Sequence, residues 1–133
     1  MRRRSSYENH IYKILKKEKI SFIEEYMPKN RKVGKRGSYR YDFAIFEEDN
    51  LLFLCEINGE QHYTRNKFFH KTEKDFKASK ERDRRKISLA LANSIPLYIV
   101  PFFEVAGIKS IKDIQQTKFL ATNKWHNDNL QIP

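Results

Sequence analysis

Asp42 and Glu56 are carboxylates set in two of the most apolar runs of the chain, RYDFAIF (40–46) and LLFLCEI (51–57). An acid in such a run is costly unless donors or a cation meet it. The short polar linker between the runs predicts a hairpin. A three-residue loop, Glu48-Asp49-Asn50, with Asn50 in the left-handed conformation, pairs residues whose numbers sum to 98. Phe46 then faces Leu52, Ala44 faces Leu54, and Asp42 faces Glu56. Opposed β-carbons in an antiparallel pair lie about 4.5–5.5 Å apart. Two carboxylates that close, at the end of a buried sheet, repel each other and lose hydration. Either one is protonated or a cation sits between them. A hard cation such as Mg²⁺ takes one or two carboxylate oxygens and keeps several waters. The other reading makes both acids structural partners of nearby arginines, with Arg36 and Arg40 available.

The strand that delivers Glu56 continues into Asn58, Gly59, Glu60, Gln61 and His62. Gly59 permits a turn that brings Gln61 and His62 back toward the acids. Beside a metal and a phosphate, His62 could move a proton or stabilise charge. Gln61 suits a supporting position, while Glu60 is given no catalytic role. A lone histidine is also an ordinary surface or hydrogen-bonded residue. Two further acids fall on core-facing sides of helices. Glu8 shares a face with Ile11 and Leu15, and Asp83 shares one with Phe76, Ile87 and Ala90. Each needs a partner, which a buried salt bridge could equally supply.

These residues need a scaffold. Ser5 or Ser6 can cap a first helix running to about residue 19. Residues 20–26 read as a short strand, and 27–40 as a loop marked by Pro28, Gly34 and Gly37. The two runs around the hairpin are apolar on both faces once their acids are set aside, as in central strands. A helix is predicted over about 73–93, a buried strand over 97–102, and a short helix near 109–119. The order α-β-β-β-α-β-α implies an α/β fold, a mixed four-stranded sheet flanked by helices. Residues 1–133 suit one domain with its core over about 5–120, a short basic N-terminal arm and a polar tail holding Trp125.

The chain is 39% hydrophobic and 33% charged, so it is globular but very polar. Its formal net charge is +10. A small domain this basic usually meets a polyanion, although charge can also serve solubility. No run of about 18 apolar residues offers a membrane span, and the N-terminus lacks the apolar core of a secretory signal. The single cysteine, Cys55, excludes an internal disulfide and a Cys-rich zinc site. A reducing, cytoplasmic setting is expected.

Four runs, SYENHIYKIL, SYRYDFAI, LCEINGEQHY and ERDRRKISLALANSIPLYIVPF, together resemble the PD-(D/E)xK nuclease superfamily. The resemblance is to its very-short-patch-repair-like branch, which includes phage and mobile-element homing endonucleases, and it covers residues 5 to about 102. It implies a restriction-endonuclease-like fold and Mg²⁺- or Mn²⁺-dependent cleavage of DNA leaving 5′-phosphates. It also implies roles. Asp42, Glu56 and the backbone carbonyl of Ile57 would bind metal, with Glu8 in support. His62 and Asp83 would be the histidine and the helix acid of the branch. Two positions depart from the superfamily pattern: Tyr41 replaces its proline, and Asn58 stands where the superfamily carries lysine. Asn58 can bind water or phosphate but carries no positive charge.

DNA, duplex or branched, would be held by the basic stretches. Residues 29–40 contain Lys29, Arg31, Lys32, Lys35, Arg36 and Arg40 and no acid. Residues 64–86 hold ten Lys or Arg against four acids, including Arg65, Lys67, Lys71 and Arg82, with Phe68 and Phe69 interleaved. Such groups suit phosphate contacts and base stacking. The helical part could also be a solvated face with ion pairs such as Glu81–Arg85. A cutter of branched junctions would need two active sites and hence a homodimer. The competing functions are a nuclease-fold module that binds DNA without cutting it, and an RNA-binding or RNA-cleaving protein.

Overall fold

The computed structural model describes residues 4–28, 39–60 and 72–122. Helix α1 spans Ser6–Lys17. The Ser5 hydroxyl accepts the Glu8 amide at 3.1 Å, and the Glu8 carboxylate accepts the Ser5 amide at 2.9 Å. This reciprocal cap satisfies two amides that the first turn leaves unpaired. Ile11, Ile14 and Leu15 are buried along one stripe. The helix stops short of residue 19, where Lys19 turns left-handed at φ 57.

Strands β1 (Ser21–Tyr26), β2 (Tyr41–Glu47) and β3 (Asn50–Asn58) form an antiparallel meander. Helix α2 (Glu73–Ala92) leads to β4 (Leu97–Pro101), which lies parallel to β3. Thr72 and Asp75 build a second capping box at the start of α2. A parallel neighbour demands a crossover of this kind. The result is an α/β fold with a mixed sheet in the order β1-β2-β3-β4.

Alternation along the central strands feeds two cores. Phe43, Phe53 and Cys55 pack with Ile11 and Leu15 of α1. Ala44, Leu54 and Ile99 pack with Ile87 and Ala90 of α2. One face is covered by α1 together with Val105, Ile108, Ile114 and Phe119 from the chain after β4, and the other mainly by α2. Cys55 is wholly buried, and burial pushes its thiol well up, so it acts as a packing residue.

Two expectations need correction. The hairpin closes through Glu48-Asp49, with Glu48 rather than Asn50 left-handed at φ 55, and Asn50 begins β3. Phe46 therefore faces Leu51, not Leu52. A register shift then leaves Leu52 as the extra residue, and from Ile45↔Phe53 onward the pairing sum is 98. The helix expected near 109–119 is a single turn, α3 (Ile111–Ile114), between 3-10 segments at Phe102–Gly107 and Thr117–Phe119. Ile114 and Phe119 are 0% and 2% exposed. Five residues apart on one helix they would point about 140° from each other, so the chain breaks to bury both.

No helix among the described residues is long and apolar enough to cross a membrane. Trp125 lies outside the described residues.

Candidate active site

The backbone pairing of β2 with β3 reaches Phe43↔Cys55. One step further, carboxylates become the cross-strand acceptors. Glu56 Oε1 accepts the Asp42 amide at 2.8 Å, and Asp42 Oδ2 accepts the Ile57 amide at 2.8 Å. Asp42 and Glu56 are thus interlocked through each other's strands. Glu56 is 8% exposed and Asp42 is half-buried.

The electrostatics are strained toward negative charge. Asp42 is held well above the usual carboxylate range, first by burial and then by the charge of Glu56. Glu8 pushes the same way, while the Ile57 amide and Lys86 oppose it. A carboxyl group in this state accommodates further positive charge.

Part of that charge is present in a residue the sequence reading missed. Lys86, on α2, places Nζ 2.8 Å from Glu56 Oε2. Its side chain is 14% exposed. The Tyr41 hydroxyl donates to the Lys86 carbonyl at 2.7 Å, and the ammonium group lies 5.0 Å from the Tyr41 ring centre. Tyr41 itself is buried, and its phenol is pushed up by burial and then by Glu56. The counter-ion of Glu56 is therefore this lysine. Arg40, offered above as a structural partner, is exposed, and Arg36 lies outside the described residues. A sequence signal did exist. Asp83, Lys86, Ile87 and Ala90 follow the i, i+3, i+4, i+7 pattern of one helix face. A search restricted to apolar residues skips the lysine.

Glu8 is buried, closes the cap of α1, and adds its charge to the field at Asp42. Asn58 is 4% exposed at the end of β3, opposite Pro101 of β4. Asp83 is half-buried one turn before Lys86, and its charge bears on Lys80, whose ammonium group burial lowers. Arg82 is exposed, and Arg84 and Arg85 pair with Glu81 on the solvated face of α2. His62, Gln61, Lys29, Arg31, Lys32, Lys35, Arg65, Lys67 and Lys71 lie outside the described residues.

Among the described residues, no group of three or more His, Cys, Asp or Glu side chains is gathered for a metal. The donors at the sheet end are Asp42 and Glu56, with the Ile57 carbonyl adjacent in sequence. An oxygen-only set completed by water suits a hard cation such as Mg²⁺ or Mn²⁺ better than zinc. No family model, curated protein or solved structure matches the chain.

Proposed function

We propose that the protein is a metal-dependent endonuclease that hydrolyses DNA phosphodiester bonds. The observation that carries this reading is the interlocked pair Asp42–Glu56, with Asp42 held well above its usual range beside a second acid. Perturbed acids paired in this way are typical of sites that bind cations or move protons. The resemblance of SYRYDFAI and LCEINGEQHY to the very-short-patch-repair-like nucleases points to the same reaction.

On this reading Asp42 and Glu56 hold Mg²⁺ or Mn²⁺, with the Ile57 carbonyl as third ligand. A bound metal supplies polarisation of the scissile phosphate and a more acidic water at that phosphate. The Ile57 amide orients Asp42, and the Asp42 amide orients Glu56. Lys86 supplies a positive charge beside the site, which Asn58 cannot provide. Glu8 raises the negative field that attracts the cation. His62 remains the candidate for proton transfer, and Gln61 and Asp83 are supporting groups.

The test is cleavage of supercoiled and branched DNA with Mg²⁺, Mn²⁺ or EDTA. The wild type is expected to cut with metal and not with EDTA. Asp42→Asn and Glu56→Gln are each expected to lose more than about a hundredfold in rate, the upper range for losing even an outer-shell partner. No cleavage with either metal on any substrate would sink the proposal. Equal cleavage by the variants would sink the site.

A second reading is a DNA-binding module that does not cut. The Lys86–Glu56 ion pair favours it, because it gives Glu56 a partner without any metal. DNA binding that is indifferent to metal, with no cleavage, would select it.

A further inference from the structure

We propose that Lys86 is a resident counter-ion of Glu56 that a divalent metal ion displaces, so that lysine and metal compete for one carboxylate. The proposal rests on the metal-binding part of the function proposed above.

The residue is held at two points of different kinds. Its main chain is fixed by the Tyr41 hydroxyl at 2.7 Å. Its ammonium group is held by Glu56 Oε2 at 2.8 Å and flanked by the Tyr41 ring at 5.0 Å. The main-chain anchor positions helix α2 against β2 without help from the head group. The head group is carried on a four-carbon stem with several rotatable bonds. It can leave Glu56 while the helix stays in place.

The exchange has an electrostatic reason. The paired side chains are only 14% and 10% exposed, so little water screens them. A second carboxylate stands beside Glu56, since Glu56 accepts the Asp42 amide and Asp42 accepts the Ile57 amide, both at 2.8 Å. Lys86 brings one positive charge to these two carboxyl groups. A divalent ion brings two charges and ligates carboxylate oxygens directly. It meets repulsion from an ammonium group already bonded to Glu56, and the ammonium group must withdraw. Lys86 thus keeps the acids apart from stray cations and sets a threshold for metal entry. On withdrawal its charge stays at the mouth of the site, where a phosphate would arrive.

The test is Mn²⁺ binding by calorimetry to the metal-stripped full chain, comparing wild type, Lys86→Met and Lys86→Arg. Methionine keeps much of the stem and removes the charge. Lys86→Met is expected to bind Mn²⁺ about tenfold tighter or more, since one like charge is removed from within a few ångströms. Lys86→Arg is expected to stay within a few-fold of wild type. In Glu56→Gln, adding Lys86→Met should no longer tighten binding, which a double-mutant cycle reads directly. The thermal midpoint gives a second readout. Lys86→Met should melt lower than wild type in EDTA and gain more from Mn²⁺. If it is unfolded in EDTA, folding on Mn²⁺ addition supports the exchange.

Unchanged or weaker Mn²⁺ binding by Lys86→Met overturns the proposal, as does a loss of stability that Mn²⁺ does not recover. Absence of Mn²⁺ binding by every variant overturns it together with the metal site. Wild type that cuts DNA while Lys86→Met binds Mn²⁺ no tighter removes this proposal alone. Tighter Mn²⁺ binding by Lys86→Met, with no cleavage by wild type, supports the exchange and removes the nuclease.

Discussion

At the scale of single residues, burial and a neighbouring acid govern Asp42. Its folded-state affinity for a proton is raised above the unfolded value by burial and by Glu56. Below the ordinary aspartate value both states are protonated, and Asp42 adds no pH dependence. As pH rises past that value the unfolded chain releases its proton first, while the folded protein retains it. The folded state then binds more protons, so stability falls with rising pH until folded Asp42 ionises. Asp42→Asn keeps an acceptor for the Ile57 amide and removes the charge. In EDTA at pH 7 it should be more stable than wild type, because the folded state no longer holds a buried group that resists ionisation. Denaturant melts from pH 4 to 7 should show the gap opening as pH rises; a less stable variant at pH 7 would refute the assignment. The two acids were legible in the sequence because an acid in an apolar run has few physical excuses. The helix pattern marks Lys86 as inward-facing but not its pairing with Glu56, which lies 30 residues away and is joined to it only by packing of α2 on the sheet.

At the scale of elements, the site depends on one residue of register. The hairpin turn is shorter than its sequence suggests, with Glu48 left-handed although Asn50 is better suited to that conformation. A tight turn without compensation would set the pairing sum to 97 throughout and place Glu56 on the wrong face. Leu52 absorbs the difference. It is 41% exposed, so its side chain contributes little to the core. Deleting Leu52 should therefore do far more damage than Leu52→Ala. The expected result is a protein that is unfolded or strongly destabilised and has no Mn²⁺-induced rise in melting temperature. Leu52→Ala should melt within about 1 kcal/mol of wild type, as substitutions away from buried features usually do, and keep its Mn²⁺ response. A deletion variant that retains the response would show that the register does not position the acids. The pairing of Ala44 with Leu54 was readable because burial of both faces leaves little freedom of register. The turn was not, because the two-residue turn and the bulge cancel each other and leave the same core.

At the scale of the whole molecule, basic stretches flank the two acids in the sequence. Residues 29–40 run into β2 just before Asp42, and residues 61–71 leave β3 just after Glu56 and Asn58. Arg40, exposed two residues before Asp42, belongs to that arrangement. A net charge of +10 spread only for solubility would give weak DNA binding without a dependence on these positions. A backbone-tracking surface has a different signature. If about six phosphates are contacted, affinity should fall on the order of a thousandfold between 50 and 200 mM salt. Asp42→Asn should keep that slope, because it removes no basic group that could meet a phosphate. Replacing Arg40 and Arg82 together by Gln should flatten it by about two counter-ions if both meet phosphates. Fluorescence titrations of duplex, branched and RNA ligands in EDTA measure each slope separately. A steeper slope and tighter binding for RNA than for either DNA would move the substrate from DNA to RNA while leaving the carboxylate site to be explained. A flat slope for every ligand would mean that the charge serves solubility and that no nucleic acid is bound through it.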